Sequence, residues 1–506
     1  MKFLSKIIFV ILLFASVTIY VACNKNNLNV PPPTATEASS FEKEGDFQSA
    51  IFGIYALLTD YYSSSNIAGG SGSAELQTFF LPGDDLTNNG EEAFEVFGNA
   101  INPADGKISQ IFSSSYIMMN RANKVLTKIN TVADGVYTTP NLKNYHKGEV
   151  LFLRGFAHYM LWNGFGTAPL DTIDITTIAQ LNPSNSQGTE LLDQAISDFT
   201  QAAGLLPATW DDVNKGRVTA NSANGMLGKA LVFRASINHS NEDYQAAIAA
   251  LNKITGASLT ANFLDNFDVD KENNSESIFE YQAGANINGF TNTWLGNDNC
   301  DCGVASGYWQ CFYNGPATYM GGGLYTATNK LKNSFDAADP RLPLTLNTTD
   351  NNITKYVLKD RAQGPGNSDN NARILRYSDV LLLKAEAILQ SGGSITEAVS
   401  LVNQVRTRAR NMVAGGLVPA DFSVAETDKN IVMQWIMDER LRELAAEGQR
   451  WFDLRRWALG GFITLDNDFF SSIVPTRMKW DDHNLNFPIP YSETDKNPNI
   501  KQNPGY

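Results

Sequence analysis

The chain has 506 residues, a formal net charge of −14, 43% hydrophobic residues and 18% charged residues. Such a mix excludes a disordered chain and is long enough to bury a sizeable core. The acidity, with no cluster of Lys and Arg, excludes a phosphate-backbone partner and disfavours acidic glycans.

Lys2 and Lys6 open the chain as a basic n-region, and an apolar or small-residue run follows from Ile7 to Val21. At about 15 residues that run is shorter than the roughly 20 a helix needs to cross a bilayer. It ends in Tyr20-Val21-Ala22-Cys23, a hydrophobic-x-small-Cys pattern. The expectation is a lipoprotein signal over 1–22, with Cys23 as the first mature residue and lipid attachment point. Acyl chains on one residue anchor stably, because each buried CH₂ contributes about 0.8 kcal/mol. Residues 24–38 are polar and Pro-rich, the composition of an extended tether.

From 39 to 506 the spacing predicts one mainly helical domain. Ser39-x-x-Glu42 resembles a capping box opening a helix that runs to Tyr62. Apolar periodicity predicts further helices over 108–130, 144–163, 189–205, 219–237, 242–254, 374–391, 395–411 and 425–447. Ser394-x-x-Glu397 is a second capping box. In the last helix Met433, Ile436, Met437, Leu441, Leu444, Ala445 and Gly448 form one stripe. Helices arriving in pairs with short loops predict tetratricopeptide-like hairpin stacking of about four pairs, with little β. The long irregular stretches 63–106 and 283–330 are rich in Gly, Asn and aromatic residues, and loops of that length are usually functional.

Cys300, Cys302 and Cys311 lie in the second stretch. In an exported chain they read as one disulfide, Cys311 to Cys300 or Cys302, with one thiol free. A three-thiolate metal site is the alternative, but no nearby His completes it.

Several ordered motifs run through the chain. Asn120-Arg121-Ala122-Asn123 and Leu153-Arg154-Gly155-Phe156-Ala157 are early ones. Gly216-Arg217-Val218-Thr219, Tyr377 to Ala387 and Asn403-Gln404-Val405-Arg406-Thr407-Arg408-Ala409 follow. The segment Glu439 to Trp457 reads ERLRELAAEGQRWFDLRRW, and the chain ends in Gln502-Asn503-Pro504-Gly505-Tyr506 after Phe487-Pro488-Ile489-Pro490. Together these resemble the SusD/RagB family over essentially the whole mature chain. The resemblance implies a scaffold of four tetratricopeptide-like helix pairs draped with loops. It implies an outer-membrane lipoprotein that faces the exterior and works beside a SusC-like TonB-dependent transporter. It also implies a ligand that is an oligosaccharide or, in the RagB-type branch, a peptide, and no catalysis.

Read without the family, the 439–457 segment is structural. Glu439 pairs by spacing with Arg442 and Arg440 with Glu443. Arg450, Arg455 and Arg456 interleave with Trp451, Phe452 and Trp457, where a guanidinium stacks on Trp and bonds Asp453 or Glu447.

Catalytic and metal patterns are missing from the sequence. The four His residues (146, 158, 239 and 483) show no metal-ligand spacing, and His158 reads as a packed helix residue. The segment from Asp268 hints at a calcium loop but has Asn273 and Phe279 where an EF-hand needs Gly and Glu. The pairs Asp84-Asp85, Asp211-Asp212 and Asp481-Asp482 read as solvated turns rather than glycosidase acids. Neither a cofactor nor a metal is expected.

Ligand residues are therefore sought among loop aromatics and amides, since sugars present apolar faces and hydroxyls. The 283–330 loop offers Trp294, Tyr308, Trp309, Phe312, Tyr313, Tyr319 and Tyr325 with Asn292, Asn297 and Asp298. The earlier loop offers Phe79, Phe80, Asp84 and Asp85. Packing onto the scaffold or onto the transporter is the competing role for these aromatics.

Overall fold

The computed structural model describes residues 41–62, 79–88, 101–283, 325–357, 370–473 and 479–506. Helix α1 spans Glu44–Tyr55, and a short helical turn, Thr59–Tyr62, continues it. Its cap differs from the sequence expectation. Lys43 occupies the N-cap, and the Asp46 carboxylate accepts the backbone N–H groups of Glu42 and Lys43 at 3.0 and 3.1 Å. Two open amides are satisfied there, so the helix starts after the Ser39 box, not with it.

Eight longer helices follow: α2 Gly106–Thr131, α3 Leu142–Phe165, α4 Glu190–Leu205, α5 Ala220–Asn238, α6 Asn241–Leu251, α7 Tyr377–Gln390, α8 Ile395–Asn411 and α9 Lys429–Glu443. Each packs against the next, so the eight make the four stacked pairs that the periodicity predicts. Helix α10, Arg450–Leu459, lies against α5. No helix among the described residues is long and apolar enough to cross a membrane.

Helix α3 is the centre of the stack and is buried on nearly every face from Gly148 to Phe165. Gly155 permits this, since a β-carbon there would lie 3.0 Å from Asp198 Cβ on α4. Beside it Arg154 grips Asp198 through two hydrogen bonds of 2.9 and 2.6 Å. His158 is buried with Nδ1 3.0 Å from the Arg154 carbonyl, a packed helix residue as expected.

Two small antiparallel pairs complete the fold. Strand β1 (Leu86–Asn88) pairs with β3 (Tyr325–Ala327), and β2 (Ser277–Tyr281) pairs with β4 (Ala372–Arg376). The helix predicted from 374 therefore begins at Tyr377, and the three residues before it belong to a strand.

The helix predicted over 425–447 also ends early, at Glu443. The chain then turns through Ala446 and Gly448, both at positive φ, before α10 begins. The backbone carbonyls that helix end exposes are taken by side chains. Lys355 Nζ reaches the carbonyls of Glu443 and Ala445 at 3.0 and 2.9 Å, and the Tyr356 hydroxyl reaches that of Ala446 at 3.0 Å. Tertiary donors thus replace the next helical turn.

Candidate ligand-binding site

The two long loops of the sequence each have one end at a shared place on the scaffold. Asn88 and Tyr325, which flank 89–100 and 284–324, are direct partners in the β1–β3 register, with Leu86 opposite Ala327. Tyr62, which precedes 63–78, stacks on Tyr281 at 5.8 Å and 24°. Ala283 donates its N–H to Asn371 Oδ1 at 2.7 Å. Phe79 packs edge-on against Phe452 of α10 at 4.8 Å.

A buried clamp fastens 84–88 and 325–330 to the 439–457 segment. Asp84 takes Arg450 Nε and Nη2 at 2.5 and 3.0 Å, and Lys330 Nζ at 2.6 Å. Asp85 Oδ2 accepts the Ala446 N–H at 2.9 Å. Thr328 donates its hydroxyl to the Asp84 carbonyl and its N–H to the Asp85 carbonyl, at 2.7 and 2.9 Å. Three segments far apart in sequence (84–88, 325–330 and 446–450) meet here.

Burial pushes both carboxyls up, but they end on opposite sides. Arg450 and Lys330 outweigh burial at Asp84 and hold it well below the usual range. At Asp85 burial and the charged Asp84 outweigh the hydrogen bond from Ala446 and the weaker pull of Arg450, and the carboxyl is pushed up to about 6. Its Oδ1 has no hydrogen-bond partner. The native protein thus holds a proton that the unfolded chain releases above its ordinary value of 3.8. Stability falls as pH rises between those two values, and the deficit is complete above the higher one. Asp85→Asn removes this titration while keeping an acceptor for Ala446. It should raise urea-unfolding stability by about 1–3 kcal/mol at pH 7.5 and give no gain near pH 4. An equal gain at both pH values would place the effect elsewhere.

The sequence-predicted ligand residues divide sharply. Phe79, Phe80, Asp84, Asp85 and Tyr325 are all buried, at most 4% exposed. Their side chains pack the loop bases or carry the clamp, because a paired carboxylate and an aromatic ring are as useful inside as outside. Asn292, Trp294, Asn297, Asp298, Tyr308, Trp309, Phe312, Tyr313 and Tyr319 lie outside the described residues, as do Cys23, Cys300, Cys302 and Cys311. Sequence reasoning missed Lys330 and Thr328, and offered Arg450 a neighbouring carboxylate, Asp453 or Glu447, where the structure gives it Asp84. No local pattern marks a pairing 366 positions apart.

The recognisable motifs are structural. Arg217 forks onto Glu149 at 2.8 and 2.6 Å and covers the Trp210 ring at 4.0 Å, and Thr219 caps α5. These residues edge an open cleft of about 310 Å³ that also takes in Asp212 and Lys215. Arg456 covers Trp457 at 4.7 Å and bonds Glu386 and Asp453. Arg455 covers Trp162 instead. The Glu439–Arg442 pair forms at 3.0 Å, but Arg440 turns to Asp379 and Asp453, away from Glu443. Asn503 at the C-terminus donates to the carbonyls of Phe165 and Phe487, at 2.8 and 2.7 Å. Among the described residues no group of His, Cys, Asp and Glu could hold a metal.

Comparison with known proteins agrees with this arrangement. Residues 346–506 match the model of the SusD family, and residues 38–231 match a family described as starch-binding and associating with the outer membrane. A SusD-like protein of Formosa agariphila is 26% identical, with 99% of each chain covered. A laminarin-binding SusD-like protein superposes with a TM-score of 0.72 at 23% identity, covering 92% of this chain and 100% of its own. Surface glycan-binding protein A from Bacteroides uniformis gives 0.71 at 20% identity, with the same coverage. The helical stack, its stitched C-terminus and the two matched regions make this chain a member of the SusD/RagB family.

Proposed function

We propose that this protein is a lipid-anchored, outer-surface glycan-binding protein that captures oligosaccharide and passes it to a SusC-like TonB-dependent transporter, without catalysing its cleavage. The observation that carries the reading is the convergence of loop bases. A stretch rich in Trp, Tyr and Asn leaves the scaffold where Asn371 holds the Ala283 N–H and returns to it at the strand pair that the buried clamp fastens, so both of its ends are fixed. The names of the relatives support the glycan class. The net charge of −14 favours a neutral one over an acidic one. Cys23 supplies the anchor, and the transporter supplies the exit for the ligand.

The test is a binding screen of the chain from residue 25 onward against neutral oligosaccharides, acidic oligosaccharides and peptides. Titration calorimetry follows with Trp294→Ala and Trp309→Ala. Neutral saccharide binding that weakens at least tenfold in either variant, about 1.4 kcal/mol, is the expected result. Binding of peptides alone overturns the glycan reading, and release of a cleaved product overturns the non-catalytic one.

A further inference from the structure

A groove of about 790 Å³ runs along α8. Its floor is the outward face of that helix, with Gln404, Thr407 and Asn411 in successive turns. One wall is the segment 257–261 with Tyr377, and the other is 421–424.

Both walls are fastened. Asn403 exchanges two hydrogen bonds with the Phe422 backbone, at 2.9 and 2.8 Å. Phe422 lies between the Arg406 guanidinium at 4.0 Å and the Trp435 ring, stacked at 4.4 Å and 2°. Opposite, the Ser258 N–H bonds the Ser275 carbonyl at 2.9 Å, and the Thr260 N–H bonds Glu276 Oε2 at 2.9 Å. The groove is therefore preformed, and its size falls in the range of small-ligand sites.

Its chemistry is neutral. The charged groups at its surface are already committed: Arg408 to Glu276 and Glu443, and Asp421 to Arg410. The side-chain groups without a partner in the chain are the amides of Gln404 and Asn411 and the hydroxyls of Ser258 and Tyr377. Beside them stand apolar surfaces, the half-buried Tyr377 ring, Leu259 and Val424, the last 47% exposed. An anion or cation finds no free counter-charge here. A peptide finds neither an open strand edge nor an apolar trough. Uncharged hydroxyls with CH faces match both surfaces.

We propose that this groove is a second saccharide subsite, for the neutral rings of a glycan, built from other residues than those of the 283–330 stretch. It rests on the glycan-binding reading above. Two weak sites on one polymer raise its retention far more than either does alone, since the second contact forms at high effective concentration. A short oligosaccharide gains nothing from the pairing.

The test uses the chain from residue 25 onward in native gels cast with laminarin or soluble starch, and calorimetry with laminarihexaose and maltoheptaose. Gln404→Ala/Asn411→Ala changes two exposed helix residues, so its thermal unfolding should match the parent protein. The expected result is polymer retention reduced 3- to 10-fold with hexaose or heptaose affinity unchanged. In the Trp294→Ala/Trp309→Ala background, residual polymer retention should disappear when the groove pair is added. Unchanged retention in the groove variant overturns the subsite while leaving the glycan reading intact. A parent protein that binds neither polymer nor oligosaccharide overturns both.

Discussion

Arg376→Ala should destabilise the protein by about 3–5 kcal/mol, as much as a third or more of a typical domain's stability. Arg376 lies at the end of β4 and is 1% exposed. Its guanidinium bonds Glu276 Oε1 at 2.7 Å, Glu443 Oε1 at 2.6 Å, and Glu447 through two contacts of 2.8 Å. It also donates to the Glu443 carbonyl at 2.6 Å, closing the end of α9. Arg408 and Arg341 approach the same Glu443, and Lys355 approaches Glu447. Burial alone would push the Glu443 carboxyl up, yet these arginines hold it well below its usual value. Alanine at 376 leaves three buried carboxylates short of counter-charge and the Glu443 carbonyl with Lys355 as its remaining side-chain donor. Arg376→Lys keeps the charge but loses the planar fork, so it should recover only part of the loss. The contrast is Lys271→Ala. Its pair with Asp265 is half exposed at the lysine and screened by solvent, so its loss should shift the unfolding midpoint far less. Urea unfolding of all three variants gives the comparison. Equal effects at 376 and 271 would show that the buried network is not a keystone of the fold.

The contrast explains what the sequence could and could not reveal. Helix α8 begins and ends where periodicity and the Ser394 cap place it, because its apolar face and cap residues are local signals. The strands were invisible. β2 has four of five residues buried and β4 all five, so neither alternates, and β4 carries two arginines inward. A buried arginine is unreadable from composition because its partners are distant: Arg376 and Glu443 are 67 positions apart. The same reason misplaced Asp84 and Asp85. An acidic pair beside Gly83 reads as a solvated turn, and only the incoming Arg450 and Lys330 make burial tolerable. The family motifs were legible because they are this packing. Arg217 pairs with Glu149, and Asp379, Arg440, Asp453 and Arg456 each make two buried ion pairs. Their legibility identifies the scaffold and says little about ligand.

Asp84→Ala should cost about 3–5 kcal/mol and weaken ligand binding by at least tenfold at temperatures where the variant stays folded. The stability loss follows from Arg450, which is 8% exposed and has Asp84 as its bidentate partner. Lys330 is less affected, since 36% of its side chain reaches solvent. The binding loss follows from position. Asp84 joins the start of α10 to the paired strands from which both loops leave, and a loop whose base shifts must be ordered by its ligand. A double variant separates the two effects. Asp84→Leu with Arg450→Met replaces a buried pair with apolar volume, a change that is often near neutral for stability. The apolar pair has no directional bond to fix the strand ends, so ligand affinity should stay low while the unfolding midpoint returns. Recovery of both together would mean that the clamp only stabilises the fold. Recovery of stability alone would assign it the positioning of the loops.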